Sequence, residues 1–375
     1  MRNKIISQLG KYLIVIGIIL GIIVFWQSVE RKPLLADDNA EYAKAVVTEN
    51  LNKKFQTGTE KEYSSSQEVT LLIKSGSHKG ATVKAHSLNG YLYGANCTIG
   101  TKVIAQLSEY DGLLSATVYN YDREFEITML ILIFFGTMWL VGGRKGVNSI
   151  IALIFTFITV IMLYVPLMYI GVSPFLAAVI SVILITIITH ILLADLEIKS
   201  ISAMLGTICG VVVAGIIALI FGMVANVNGY NVEEIETLVF IGQASKLDVG
   251  GMLFSGILIS SLGAVMDVAM SVSSSLNEIQ LNRPNISGKE LFKSGMNIGR
   301  DMIGTMSNTL ILAYVGSSIN LIMIIYAYSY QMHQIANMYS VAIELMSGIA
   351  GTMGIILAVP FTSFITTILL RKKRP

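Results

Sequence analysis

Apolar residues form long uninterrupted blocks along most of this chain, and polar residues fall mainly between the blocks. A bilayer core about 30 Å thick is crossed by roughly 20 apolar residues of α-helix. Eight stretches qualify as predicted spans, in chain order Tyr12–Val29, Ile127–Gly143, Ser149–Ile170, Pro174–Ala194, Ser200–Asn226, Val249–Ser273, Gly295–Tyr328 and Val341–Leu370. The pattern therefore predicts a polytopic α-helical membrane protein of about eight spans, with seven of them in residues 126–370.

Two of these stretches need interpretation. No small-residue cleavage site follows Trp26, so residues 1–29 are predicted to be an uncleaved membrane anchor rather than a signal peptide. Residues 295–328 are too long for one simple crossing and short for two. We predict one crossing made of a broken helix, with the break at residues 316–318, and a re-entrant segment is the alternative.

Between the first two spans the pattern changes to short alternating runs typical of β-strands. The predicted strands are Ala43–Thr48, Val69–Lys74, Ala81–Ala85, Lys102–Leu107 and Leu113–Tyr119. Gly, Asn and Asp between them supply turns. Residues 30–125 are therefore predicted to form a small extracytoplasmic domain, a five-stranded barrel of OB or SH3 type.

The distribution of basic residues predicts the orientation. In the eight-span arrangement, the two termini and the loops on the same side of the membrane carry 13 of the 26 Lys and Arg residues. The short loops on the opposite side carry only Lys246. Because cytoplasmic loops are enriched in Lys and Arg, both termini are predicted to be cytoplasmic, including the basic tail 371–375.

Composition excludes several classes of function. Hydrophobic residues make up 54% of the chain and charged residues 13%, and no basic patch interleaved with aromatic residues suggests nucleic-acid binding. Cys97 and Cys209 lie in regions of different character, so no disulfide is expected. His78 and His86 have no cysteine or carboxylate cluster nearby, which favours surface histidines over a metal site. The HExxH and GxSxG motifs and a phosphate-binding loop are absent, so neither an enzyme nor a cofactor is predicted.

The sixth predicted span contains an aspartate, Asp267, in a stretch otherwise suited to lipid. Helical spacing places it on one face with other polar residues, which are Ser260, Ser271, Ser274 and Glu278. We expect lipid to contact the opposite side, which carries Leu258, Leu262, Val265 and Val272. A carboxylate inside a span costs about 2.5–3.5 kcal/mol, so Asp267 needs a partner, a proton or water. A transport or ion-coupling role is favoured over a structural polar clamp between helices.

The seventh predicted span has a polar face of its own. Asn297, Asp301 and Asn308 recur at helical spacing, and we expect Asp267, Asp301 and Asn308 to line one cavity if the two helices face each other. Arg300 is interpreted as an arginine snorkelling to the cytoplasmic surface one to two turns away, with a charge pair to these carboxylates as the alternative.

Two further carboxylates are weaker candidates for ion entry or gating. Asp248 is first of all an N-terminal cap of the sixth span. Glu344 lies one turn inside the outer end of the last span, where an interfacial position explains it more simply than a gating role.

Two stretches carry a resemblance to a known family. GAVMDVAMSVSSSLNEI and GRDMIGTMSNTLILAYVGSS are similar to the signature stretches of the YibE/F-like bacterial membrane proteins. The likeness is strongest over residues 246–318 and extends over residues 126–370. It implies a multi-pass protein of the bacterial plasma membrane, but it supplies no reaction and no catalytic residue.

The sequence thus predicts a transporter or permease for a small solute or cation, embedded in the lipid bilayer. The alternative is a non-transporting scaffold whose extracytoplasmic domain binds a partner or an envelope component. A homo-oligomer or another membrane partner is compatible with both.

Overall fold

The computed structural model describes residues 2–30, 40–51, 65–89, 93–110, 113–194, 197–232 and 234–372. Residues 373–375 of the predicted basic tail lie outside them. The chain divides into two compact units, one of Pro33–Thr137 and one of Met1–Lys32 with Met138–Pro375.

The first unit contains a five-stranded barrel, as predicted. Its strands are β1 (Ala40–Asn50), β2 (Ser65–Ile73), β3 (Thr82–Asn89), β4 (Lys102–Tyr110) and β5 (Leu113–Tyr121). They close in the order β1-β2-β3-β5-β4, and only the β3–β5 pair among these strands is parallel. Alternate residues point inward, for example Val69, Leu71 and Ile73 on β2, and all three are fully buried.

The remaining regular structure is helical. The helices are α1 (Arg2–Ser28), α2 (Glu124–Thr159), α3 (Val165–Tyr169), α4 (Pro174–Leu193), α5 (Ile198–Ala225), α6 (Ile235–Ala244), α7 (Val249–Asn282), α8 (Gly288–Ser317), α9 (Ile319–Ala327), α10 (Met332–Ala336) and α11 (Tyr339–Lys372). Each predicted span has a helical counterpart, although α7 and α8 extend well beyond the predicted bounds. The short apolar helix α6 was not predicted.

The second and third predicted spans form one long helical segment with two irregularities. Gly143 has non-helical dihedral angles, φ +54° and ψ −131°. The backbone carbonyl of Met138 occupies the space that a Cβ on Gly146 would need, so the chain bends sharply between them. Farther along, Val160–Tyr164 is a π-helical turn just before Pro166. Proline has no backbone N–H, so it cannot donate a helical hydrogen bond at this position.

The helical core forms around α5, α7 and α11, with α4 and α8 packed against them. Small residues on α5 permit the close approach to α11. A Cβ on Gly210 would lie 2.9 Å from the Cβ of Ala358 and 3.0 Å from the carbonyl oxygen of Gly354. Small residues at a helix crossing let the two backbones approach closely.

Among the described residues, six helical segments are long and apolar enough to cross a membrane. A seventh candidate is the pair α8 and α9, which meet at Ser318 with a bend of 61°. The predicted break in this region is therefore confirmed. The segment Glu124–Tyr169 is 46 residues long, or about 69 Å of helix at 1.5 Å per residue, which is more than twice the thickness of a bilayer core.

Candidate functional site

The polar stripe of α7 lies on the surface of the helical unit. Ser260, Asp267 and Glu278 are exposed, and Ser271 and Ser274 are partly buried. The predicted lipid-facing residues are instead core residues: Leu258 and Val265 are fully buried, as is Val272, and Leu262 is 5% exposed. The prediction that lipid contacts the apolar side of α7 was wrong, because the neighbouring helices α4, α5 and α11 cover that side.

Asp267 lies near the middle of α7, 18 residues after Val249 and 15 before Asn282. Among the described residues it has neither a hydrogen-bond partner nor an ion-pair partner. A carboxylate placed this way would face hydrocarbon if α7 stood against lipid, at a cost of about 2.5–3.5 kcal/mol. Its surroundings must therefore contain water, a cation or another protein surface.

The second polar stripe lies on α8 and is also exposed. Asn297, Arg300, Asp301 and Asn308 all have exposed side chains. Because α8 begins at Gly288, Arg300 lies about 18 Å along the helix from its first residue, more than three turns and not one to two. Its position within the helix therefore differs from the prediction.

Two contacts set the register of the antiparallel α7–α8 pair. The hydroxyls of Ser260 and Tyr314 are 2.7 Å apart. Nearer the connecting loop, a Cβ on Gly295 would lie 2.9 Å from Leu276. Counting inward from these contacts puts Asp267 close to the level of Thr305, so Asp301 lies about one turn away along the pair. Asp267, Asp301 and Asn308 are each exposed, but no hydrogen bond or ion pair joins them among the described residues, and none lines the cavities at Glu344 or at Arg371.

Two adjacent cavities open where α8 breaks and α9 begins. One has a volume of about 280 Å³ and an apolar lining that includes Tyr314 and Ile325. The other has about 300 Å³ and contains polar residues, among them Asn320 and Ser340. Both are lined by Glu344, which the sequence identified only as a weak candidate. The signal that could have found this site is Asn320, a polar residue next to the predicted break.

The role of Asp248 as a helix cap is supported by a hydrogen bond. The backbone N–H of Gly251 donates to the Asp248 Oδ1 at 3.2 Å, at the first turn of α7.

His78 in the barrel has carboxylate neighbours that the sequence did not reveal. Its Nδ1 is 3.3 Å from Glu41 and its Nε2 is 3.6 Å from Glu109. The carboxylates approach opposite ring nitrogens, so one metal ion could not contact both. No cluster of three His, Cys, Asp or Glu side chains suited to a metal occurs among the described residues.

The sequence profile of the YibE/F-like protein family matches residues 130–372, which is more than half of the chain and includes both polar stripes and the broken helix. The chain belongs to the YibE/F-like family. No curated protein and no solved structure gives a significant match. Family membership thus covers the helical region that carries the candidate site, and the barrel lies outside the match.

Proposed function

We propose that this YibE/F-like protein transports a small solute or cation across a membrane. One observation carries the proposal: α7 carries an exposed polar stripe with Asp267 at its middle, and α8 carries a second exposed polar stripe, on helices that are otherwise built to cross lipid. Polar and charged groups in a membrane span lie against water, ions or other protein, because hydrocarbon offers them no partner. The wall of an aqueous pathway satisfies this requirement.

The broken helix supports the same function. Broken helices in transporters place unpaired backbone groups beside a substrate site near the middle of the membrane. The break between α8 and α9 adjoins both cavities and Glu344, and Tyr314 connects it to the polar stripe of α7 through Ser260. In this proposal Asp267 and Asp301 bind the ion or proton, with Ser271, Ser274, Glu278 and Asn308 along the pathway, and Glu344 controls access.

We further propose eight crossings in the plasma membrane of a bacterium, with both termini cytoplasmic. The 46-residue segment Glu124–Tyr169 then counts as two spans that turn at Gly143. This arrangement keeps the basic loops on one side, as the distribution of Lys and Arg requires. It also places the barrel outside the cell.

The experiment is a flux assay in liposomes that contain the purified full-length protein. Fluorescent indicators for H⁺, Na⁺, K⁺ and Mg²⁺ would report transport, and flux of at least one ion is expected to exceed that of empty liposomes. Asp267→Asn should abolish that flux, since it removes the charge at almost constant volume. Glu236→Gln, which removes a carboxylate on α6, is the matched control and should retain it.

Absence of flux for these ions would leave a neutral solute to be tested by a thermal-stability screen of metabolites. A ligand at a hundredfold excess over its Kd stabilises the folded state by about 2.7 kcal/mol. If no ligand distinguishes wild type from Asp267→Asn, and the variant is merely less stable, Asp267 is a structural clamp and the transport proposal fails.

A scaffold that binds a partner through its barrel is the second candidate, favoured by a group of exposed tyrosines. The rings of Tyr42 and Tyr119 meet edge to face at 5.4 Å, and Tyr93 lies 6.3 Å from Tyr119. Tyrosine is enriched in interfaces because its ring offers apolar area and its hydroxyl a polar contact. The strand order of the barrel and its parallel β3–β5 pair support the OB alternative, and OB barrels commonly present a binding face.

The scaffold function predicts a different result for the intact protein. A partner that co-purifies with the full-length chain should be lost from Tyr42→Ser/Tyr119→Ser and retained by Asp267→Asn. Retention by the tyrosine variant would exclude this surface as the binding site.

A further inference from the structure

A third cavity lies between the first turn of α8 and the last turns of α11, apart from both polar stripes. It is a groove of about 550 Å³. Its lining residues are Gly288, Lys289, Phe292, Phe364, Thr367, Ile368 and Arg371. None of them belongs to the proposed transport pathway, so the groove needs a separate explanation.

The groove is apolar along its length and cationic at one end. Phe364 and Ile368 are 58% and 46% exposed, one turn apart on α11. Arg371 follows them by one further turn, and Lys289 lies at the facing end of α8. An apolar groove that ends in two cations is complementary to a phospholipid, because the apolar acyl chain of a phospholipid leads to a negatively charged phosphate.

The Arg371 guanidinium lies against Gly288 at the first turn of α8. A Cβ built on Gly288 would be 2.6 Å from the Arg371 Nη1, so the two residues are in close contact. Neither Arg371 nor Lys289 has an ion-pair partner among the described residues. The nearest acidic residue in sequence, Glu290, already accepts hydrogen bonds from the backbone and hydroxyl of Ser287. The two cations are therefore available to an external anion.

We propose that this groove binds one phospholipid with a net negative headgroup. Arg371 and Lys289 hold the phosphate, and a guanidinium suits it because its N–H groups form paired hydrogen bonds to phosphate oxygens. The acyl chain lies along Phe364, Ile368 and Phe292. A zwitterionic headgroup fits less well because its own cation would approach Arg371 and Lys289. Basic pockets between membrane helices bind anionic headgroups in this way.

The test measures the thermal stability of the purified full-length protein in detergent during titration with phosphatidylglycerol. Phosphatidylcholine with the same acyl chains and inorganic phosphate are the comparison probes. Phosphatidylglycerol should raise the Tm of the wild type, whereas equal concentrations of the other two probes should not. In Lys289→Gln/Arg371→Gln the apparent affinity for phosphatidylglycerol should fall about thirtyfold, as expected for two surface cations.

The matched control is Lys293→Gln/Lys372→Gln, which removes two cations from the same helices outside the groove and should keep the affinity within about threefold of wild type. Equal losses in the two double variants would reduce the effect to general charge attraction and overturn the proposal. An equal shift with inorganic phosphate would assign the site to a free anion, and an equal shift with phosphatidylcholine would remove the headgroup selectivity. Phe364→Ala, which keeps both cations, should weaken lipid binding, and unchanged binding would contradict the acyl-chain contact.

Discussion

The hydroxyl of Thr362 is buried where α5 crosses α11, and it has no hydrogen-bond partner among the described residues. One turn along α11, Thr366 donates to the Ser273 hydroxyl at 3.3 Å. A buried polar group without a partner costs about 1–3 kcal/mol, and valine has nearly the same shape as threonine. Thr362→Val should therefore leave the Tm unchanged or raise it, whereas Thr366→Val should lower it. The opposite order would show that Thr362 has a polar contact in the membrane.

Glu41 in the barrel illustrates a carboxylate whose environment favours its charged form. The Ser77 hydroxyl and the backbone N–H of Ser77, the latter at 2.8 Å, donate to this carboxylate and lower its pKa. Because the pKa of Glu41 is lower in the folded state, its carboxylate stabilises the fold at pH values above the unfolded pKa of 4.5. This stabilisation is lost as the pH falls through the folded pKa. The protection factors of the barrel-strand amides, which correct for the intrinsic pH dependence of amide exchange, should therefore fall below about pH 4.5. The fall should be smaller in Glu41→Gln, and an unchanged pH profile of the protection factors would contradict this assignment.

At the scale of elements, Gly143 is where the chain turns within the long segment α2. Its φ of +54° with ψ −131° belongs to a region that residues with a side chain rarely adopt. Open space surrounds both Gly143 and the preceding Gly142, whose φ is not positive, so alanine meets no steric conflict at either position. Gly143→Ala should cost about 1–3 kcal/mol of stability through the backbone alone. Gly142→Ala should be neutral or slightly stabilising, since alanine favours helix. Equal effects on the Tm would show that no turn exists at Gly143.

The bend between α8 and α9 shows how an irregular element creates a site. Ser318 leaves helical geometry, and the cavities beside Glu344 open at this point. Replacing residues 316–318 by alanine favours a continuous helix. In the flux assay, this variant should lose transport while remaining folded, and Ser294→Ala within α8 is the control. Full flux in the alanine variant would exclude the break from the pathway.

In the whole molecule, the exposed polar surfaces of α7 and α8 need water or a protein contact in place of lipid. Arg300 and Asp301 are neighbours on α8, so a second copy related by twofold symmetry could pair opposite charges across such a contact. We expect the purified protein to be an oligomer by light scattering. In a Cys209→Ala background, Gly263→Cys on this surface should cross-link two copies with a bifunctional maleimide. Leu205→Cys, 44% exposed on α5, should not. A monomer without cross-links would place water or a different protein against this surface.

Local sequence patterns were sufficient to assign the long apolar helices and the barrel of this protein. Uninterrupted apolar blocks and alternating runs are local properties, and each corresponds to a helix or a strand in the structure. The break near Gly316 and the cap at Asp248 were also predictable, because glycine, serine and aspartate act on the backbone within a few residues.

Which side of each helix is covered depends on tertiary packing. The polar stripe on α7 was visible in the sequence, but periodicity separates two faces without saying which one neighbours contact. Leu258 and Val265 are equally suited to contact lipid or to pack in a protein core. They are core residues because α4, α5 and α11 pack against them. The cavities beside Glu344 and the groove beneath Arg371 likewise depend on residues far apart in the chain, which are brought together by packing that no local pattern encodes.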